Sequence, residues 1–336
     1  MLTVYEWQNL MPTTRKACLQ RPLQANTLKQ KVSEIIAKVR TEGDKALIDY
    51  SQAWDSIELT AIELDKKTIA KATISQEALT AIETAIETIT TFHQAELPES
   101  YQDNTAAGVS IELIYRPIDR VGLYVPGGNN TPLVSSLLMQ AIPAYLAGCP
   151  LRVLCTPANA GAKIDPHLFV AAHLCQVESI YIIGGAQAIA AMAFGTETVL
   201  KVDKIFGPGN AYVTEAKAQV SMDPEGALMD MPAGPSEVMI IADEAANPDF
   251  VAADLLAQAE HGGDSQVILL CDTTLFANRV NESISRFFDK LSRKSIMQTA
   301  LQKGMILCVA SRKAGSFLGS STSARTRTAE SETCWF

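Results

Sequence analysis

The chain has 336 residues, 47% of them hydrophobic and 19% charged, with 37 Asp and Glu against 28 Lys and Arg for a formal net charge of −9. That length allows one large domain or two of ordinary size, with enough apolar material for a substantial core. The acidic balance and the lack of a dense Lys/Arg stripe argue against nucleic acid as a partner and point to a protein that binds small molecules.

The opening residues, Met1-Leu2-Thr3-Val4-Tyr5-Glu6-Trp7, carry an early Glu and no long apolar run, so no signal peptide is read there. From Leu28 the residues Val32, Ile35, Ile36 and Val39 repeat at helical spacing. Thr41-Glu42-Gly43-Asp44 breaks that pattern and residues 46–54 resume it. A further helix is expected over 76–92 and a strand near 109–116. Few polar residues converge here, so 1–120 reads as a helical N-terminal region serving as scaffold.

From Val121 the pattern alternates strand and helix. Strands are expected at 121–125, 151–155, 179–183 and 204–206, with helices over 132–146, 167–175, 187–194 and onward from Asn210 to about 220. The most apolar stretch, 132–149, contains Pro143 and is too short and broken to span a membrane. Repeated βα units argue for a parallel sheet covered by helices over 121–235. Three Gly-rich loops follow its strands: Pro126-Gly127-Gly128, Gly184-Gly185 and Gly207-Pro208-Gly209-Asn210. They are either ordinary turns or places where backbone N–H groups approach an anion. None matches G-x-G-x-x-G and no Walker-type Gly-Lys-Ser/Thr occurs. On the second reading Tyr124, Gln187 and Asn210, each at a strand end, are candidates to contact a nucleotide.

A second βαβ set begins after Asp230-Met231-Pro232-Ala233-Gly234-Pro235-Ser236. Strands are expected at 237–242, 266–270 and 305–309, and a helix over 274–291. The fold class is therefore α/β, with two Rossmann-like lobes, the second over 236–312. Ser236 lacks a Gly-x-Ser-x-Gly setting and reads as a turn or ligand-binding serine, not a hydrolase nucleophile. Between the first two strands lies a helix with Asn247 as N-cap, Pro248 at its first position and Gly262-Gly263 at its end. It delivers Gln258 and His261 at i,i+3 to its last turn, beside Glu260. Such a pair occurs by chance in many helices, and Gln is an unusual ligand, so spacing alone favours an ordinary helix end over half of a metal site, and only context raises the metal reading. His93, His167 and His173 lie in helix-like segments and read as packing or solvated residues. The seven cysteines, at 18, 149, 155, 175, 271, 308 and 334, form no Cys-x-x-Cys and suit a reducing, cytoplasmic setting.

Together these loops resemble histidinol dehydrogenase. The resemblance rests on Val121-Gly122-Leu123-Tyr124-Val125-Pro126-Gly127-Gly128, on Gly184-Gly185-Ala186-Gln187-Ala188-Ile189-Ala190, and on Val202-Asp203-Lys204-Ile205-Phe206-Gly207-Pro208-Gly209-Asn210. It continues through Asp230-Met231-Pro232-Ala233-Gly234-Pro235-Ser236-Glu237 and Gln258-Ala259-Glu260-His261-Gly262, and in order and spacing it covers residues 1–312. The resemblance implies oxidation of L-histidinol to L-histidine through histidinal, in two NAD-dependent hydride transfers at a zinc site, by a homodimer. It implies that Tyr124, Gln187 and Asn210 contact NAD, that Ser236 binds substrate, and that Gln258 and His261 ligate zinc beside the substrate.

The chain departs from that family after about residue 312. The family carries a Gly-Pro-Glu-His segment soon after the 305–309 strand, whose Glu activates water and whose His is general acid/base. Farther on, an Asp and a partner-subunit His complete its zinc shell. None of these is among the 336 residues, and His261 is the last of four histidines. From Lys313 the sequence is dense in Ser, Thr and Arg, without helical or strand period. It reads as a frameshift near Arg312 or, alternatively, as a disordered tail. The expectations are an incomplete second lobe, a non-family tail over 313–336, little or no turnover, and poor solubility or altered oligomerisation from an unpaired sheet edge. The alternative function is a catalytically dead nucleotide-binding or interaction protein.

Overall fold

The computed structural model describes residues 1–19, 27–55, 59, 61–64, 72–127, 133–158, 164–177, 179–231, 237–263, 265–309 and 326–328. The chain divides into two units, Gln24–Ala233 and the pair of segments Met1–Leu23 with Gly234–Phe336. Each unit holds a five-stranded sheet in which every strand pair is parallel.

The division corrects the reading of 1–120 as one helical region. The chain begins with β1 (Thr3–Glu6) and α1 (Pro12–Leu19). β1 runs beside the strand Met305–Cys308, pairing Thr3 with Met305 and Glu6 with Cys308. Asn281 brackets it: its Oδ1 accepts the Leu2 N–H at 3.0 Å and its Nδ2 donates to the Leu2 carbonyl at 3.0 Å. Two backbone groups of a buried residue are thus satisfied by one amide side chain. A pairing across some three hundred positions leaves no local trace in the sequence.

The Gln24–Ala233 unit starts with α2 (Thr27–Glu42), α3 (Asp44–Tyr50), a π-helical turn at Ser51–Asp55, and α4 (Gln76–Gln94), which Ser75 caps by accepting the Ala78 N–H. An antiparallel hairpin of β2 (Tyr101–Ala106) and β3 (Val109–Leu113) follows. The alternating part runs β4 (Arg120–Tyr124), α5 (Val134–Leu146), β5 (Leu151–Cys155), α6 (Pro166–Leu174), β6 (Ser179–Tyr181), α7 (Gly185–Phe194), β7 (Lys204–Phe206), α8 (Ala211–Met222) and β8 (Leu228–Met229). Side chains alternate across the sheet, as its period of two requires. Val121, Leu123 and Leu154 pack with α4, α5 and α6, whereas Tyr124, Val153 and Cys155 pack with α2, α3, α7 and α8. Helices on both faces are what an all-parallel sheet needs. Each fully buried Leu, Ile or Val here contributes roughly 1.5–3 kcal/mol relative to exposure.

The strand order is β6-β5-β4-β7-β8. The chain steps outward from β4 through β5 to β6, then returns to place β7 on the other side of β4. The order reverses between β4 and β7, and ligands of open α/β sheets bind outside the carboxyl ends of strands at such a point.

The other unit contains β9 (Glu237–Ile241), α9 (Pro248–Ala259), β10 (Gln266–Cys271), α10 (Thr274–Phe288), α11 (Lys294–Lys303), β11 (Met305–Cys308) and β12 (Thr326–Thr328), in the order β1-β11-β10-β9-β12. Val238, Ile240, Val267, Leu269 and Ile306 face α9, α10 and α11, while Met239, Ile241, Ile268, Leu270 and Leu307 face Cys18 and Leu19 of α1. β12 departs from the expectation that 313–336 has no strand: Thr326 to Thr328 pair with Met239 to Ile241. Edge pairing uses backbone groups alone, so it needs no side-chain period. No helix among the described residues is long and apolar enough to cross a membrane.

Candidate functional site

The candidate nucleotide residues stand at the carboxyl edge of the first sheet, around the point where its strand order reverses. Tyr124 is the last residue of β4 and is buried. Its hydroxyl accepts the Gly185 N–H at 2.9 Å, so it touches the first residue of α7. Gly185 has φ +69°, and a Cβ there would fall 2.6 Å from Gln187 Oε1. The glycine therefore supplies both a left-handed turn and room for the Gln187 side chain. Gln187 is 3% exposed, and its Oε1 has no hydrogen-bond partner among the described residues. A buried amide oxygen without a donor costs about 1–3 kcal/mol, which a ligand N–H or O–H would recover. The N-cap of α7 is Gly184, which has no side chain to cap the helix.

Asn210 is the N-cap of α8, beyond the end of β7, and its Oδ1 accepts the Val213 N–H at 3.1 Å. β7 lies directly beside β4, so the loop Gly207-Pro208-Gly209-Asn210 and Tyr124 occupy neighbouring strand ends. Gln140 ties the end of β4 to α5: its Nε2 donates to the Tyr124 carbonyl at 3.2 Å and to that of Ser136 at 2.7 Å. Gly207 carries φ +118°, and a Cβ there would meet the Tyr124 carbonyl oxygen at 2.1 Å. The sequence reading missed Gln140, and it missed Lys217, whose Nζ reaches the Gly207 carbonyl at 2.9 Å. The signal for Lys217 was present: it shares the buried face of α8 with Val213, Ala216 and Val220, where an unpaired lysine is not tolerated.

The fold brings Tyr124, Gln187 and Asn210 to one edge of one sheet. Ser236 and Gly128 lie outside the described residues. Gln258 and His261 belong to the other unit. Asn247 caps α9 by accepting the Asp249 N–H at 2.9 Å, with Pro248 at the first position. The helix ends at Ala259, so His261 lies just past it and not in its last turn. The i,i+3 relation survives because the His261 N–H donates to the Gln258 carbonyl at 3.3 Å, continuing the helix by one tight turn. His261 is exposed and Gln258 half-buried.

Two other histidines pair with carboxylates, and two thiols of the same unit are buried. His93 Nδ1 lies 2.7 Å from Glu96 Oε2, and His167 Nδ1 lies 2.6 Å from Asp165 Oδ1, the cap of α6. Cys155 stands at the end of β5, but burial pushes its thiol well above the usual cysteine range, and burial raises Cys175 to about 11. Both are neutral thiols and poor nucleophiles at neutral pH.

The comparisons with known proteins bear on the whole arrangement. The family model described as histidinol dehydrogenase matches residues 19–320. The chain belongs to the histidinol dehydrogenase family. It is 56% identical over 309 residues to a histidinol dehydrogenase of Legionella pneumophila (strain Paris), covering 92% of this chain and 72% of that protein. It is 47% identical over 305 residues to the one of Vibrio parahaemolyticus serotype O3:K6, covering 90% and 70%. The crystal structure of histidinol dehydrogenase from Elizabethkingia anophelis superposes with a TM-score of 0.85 at 41% identity, over 95% of this chain and 73% of that one.

The two groups that the family implies fit the described residues unequally. The dinucleotide fits: the first sheet offers two helix N-termini, glycines where a Cβ would intrude, and an unsatisfied buried oxygen at a switch point. Zinc takes four ligands in most protein sites. Gln258 and His261 would supply two at most, and no cluster of three His, Cys, Asp or Glu that could hold a metal exists among the described residues. The described residues do not complete a zinc shell.

Proposed function

We propose that this chain carries the nucleotide-binding half, and part of the substrate-binding half, of an oxidoreductase that converts L-histidinol to L-histidine through histidinal. The observation that carries the nucleotide assignment is the buried Gln187 Oε1, which meets no donor among the described residues, at the N-terminus of α7 beside the switch point. NAD bound there would accept the hydride at each of the two oxidation stages. In this reading Tyr124 fixes the backbone of Gly185, Gln187 accepts a hydrogen bond from the dinucleotide, and Asn210 orients the first turn of α8 against it. Ser236, Gln258 and His261 hold substrate, and Gln258 and His261 contribute two donors toward zinc. A cytoplasmic homodimer belongs to the same reading.

The 336 residues contain no Gly-Pro-Glu-His segment. A positioned acid/base contributes about 10²–10⁴-fold. The chain alone is therefore proposed to bind NAD with little or no turnover. The test is a pair of proteins: the chain itself, and a chimera in which residues 310–336 are replaced by the corresponding C-terminal part of the Legionella pneumophila relative. Histidinol-dependent NADH formation is expected from the chimera alone. A folded, NAD-binding chimera that is silent with histidinol would sink the substrate assignment, and turnover by the unmodified chain would overturn the claim that it is inactive.

A further inference from the structure

Gly207 is held at both of its peptide groups by one salt bridge. Its N–H donates to Asp230 Oδ2 at 2.9 Å, and its carbonyl accepts from Lys217 Nζ at 2.9 Å. Lys217 Nζ also pairs with Asp230 Oδ1, closing a ring of Gly207, Asp230 and Lys217. The lysine side chain is 4% exposed, so the charge is committed to these two partners. Asp230 is itself anchored, donating its N–H to the Ile205 carbonyl of β7 at 3.1 Å.

The placement of Lys217 makes little sense as helix stabilisation. A cation near a helix N-terminus opposes the macrodipole, and it is favoured at the other end. Lys217 sits two turns into α8, and helical side chains lean toward the N-terminus, so its stem carries the ammonium back to the loop that precedes the helix. The loop needs such a restraint. Gly207 sits at φ +118° against the Tyr124 carbonyl, a conformation that glycine permits but does not itself select. We propose that Lys217 and Asp230 are positioning residues for NAD, their ion pair clamping Gly207 so that the loop to Asn210 and the N-terminus of α8 stand preformed beside Tyr124. This rests on the NAD reading of the same edge.

A preformed loop spares the ligand the cost of ordering it, so losing the clamp weakens affinity without removing a contact to the ligand. The experiment titrates NADH, by its fluorescence, into the 336-residue chain and three variants, well below the melting temperature of each. Lys217→Met keeps the length of the stem and removes both hydrogen bonds; a rise in Kd of tenfold or more is expected. Asp230→Asn keeps an acceptor for the Gly207 N–H, and a smaller rise is expected. This second variant preserves the test if Lys217→Met does not fold. Asp44→Asn is the control: Asp44 bonds Thr196 and Thr198, at the amino side of β7, and its loss lowers the melting temperature while leaving Kd unchanged. Weakening in the first two variants but not the control supports the clamp. An unchanged Kd in a folded Lys217 or Asp230 variant overturns it while leaving the NAD reading intact. Equal weakening by Asp44→Asn also overturns it, since general loosening would then suffice. Absence of NADH binding by the unmodified chain overturns both readings.

Discussion

The two parallel sheets carry their candidate residues at opposite edges. In the Gln24–Ala233 unit, Tyr124 ends a strand and Gly185, Gln187, Gly207 and Asn210 follow strands, so they stand at the carboxyl edge. In the other unit Gln258 and His261 close α9 and precede β10, so they stand at the amino edge of their own sheet. Ser236 is next in sequence to Glu237, which opens β9. The same βα grammar therefore produces two kinds of surface. A carboxyl edge offers helix N-termini and suits anionic groups. An amino edge offers helix C-termini, whose partial negative charge suits a cation. The proposed placement of dinucleotide on the first and metal on the second agrees with the direction of the helix dipoles.

Gly207→Ala tests the carboxyl edge most severely. The added Cβ would stand 2.1 Å from the Tyr124 carbonyl oxygen, which is backbone and cannot rotate away, and the residue would keep φ +118°. Strain of this kind costs on the order of 1–3 kcal/mol before the clash is relieved. The expected result is a fall of about 3 kcal/mol in unfolding free energy by urea denaturation, together with loss of NAD affinity. A variant as stable as the parent would mean that the loop has a second conformation of equal energy.

How much of this was legible in advance follows from the range of each signal. Helix α9 was written locally, in Asn247, Pro248 and the apolar residues after them, and the structure places its cap on the expected atoms. Seven strands of the two five-stranded sheets, β4 to β7 and β9 to β11, were legible as short apolar runs, whereas β8 and β12 were not. β1 was not, because its partner lies at Met305–Cys308 and no local pattern encodes that pairing. Helix α11 was missed because Lys294–Lys303 buries only Met297, Ala300 and Leu301, a stripe too thin to outweigh its polar residues. The βαβ order could have shown that Gln258 and His261 precede a strand, and hence which edge they occupy. The clamp of Lys217 on Gly207 could not be read, because two charged residues thirteen positions apart become partners only once α8 and β8 are in place.

A smaller effect compares the edges directly. Asn210 and Asn247 perform the same local task, each accepting an N–H in the first turn of its helix. Replacing either by Ala is expected to cost about 1 kcal/mol of stability by denaturation. The consequences for ligand should differ. Asn210→Ala alters the N-terminus of α8 at the proposed NAD edge and is expected to raise the Kd for NADH severalfold. Asn247→Ala frays the far end of α9 from Gln258 and should leave it unchanged. Equal effects on NADH would erase the distinction between a cap that only stabilises and a cap that also faces ligand.

The smallest expected stability effect belongs to His261→Ala, and it is the sharpest test of the amino edge. His261 is exposed, and the hydrogen bond that joins it to Gln258 is made by its backbone N–H, which alanine keeps. Exposed substitutions of this kind stay within about 0.5 kcal/mol. Denaturation midpoints of the parent and variant should therefore coincide. Zinc association with the parent, measured by equilibrium dialysis and elemental analysis, should be weak, because two donors leave half of a tetrahedral shell to water. It should disappear in His261→Ala and fall in Gln258→Ala, since the imidazole nitrogen is the stronger donor and the carboxamide oxygen the weaker. Undiminished zinc in the His261 variant would place the bound metal elsewhere, and the amino edge of the second sheet would lose its proposed role while the carboxyl edge of the first kept its own.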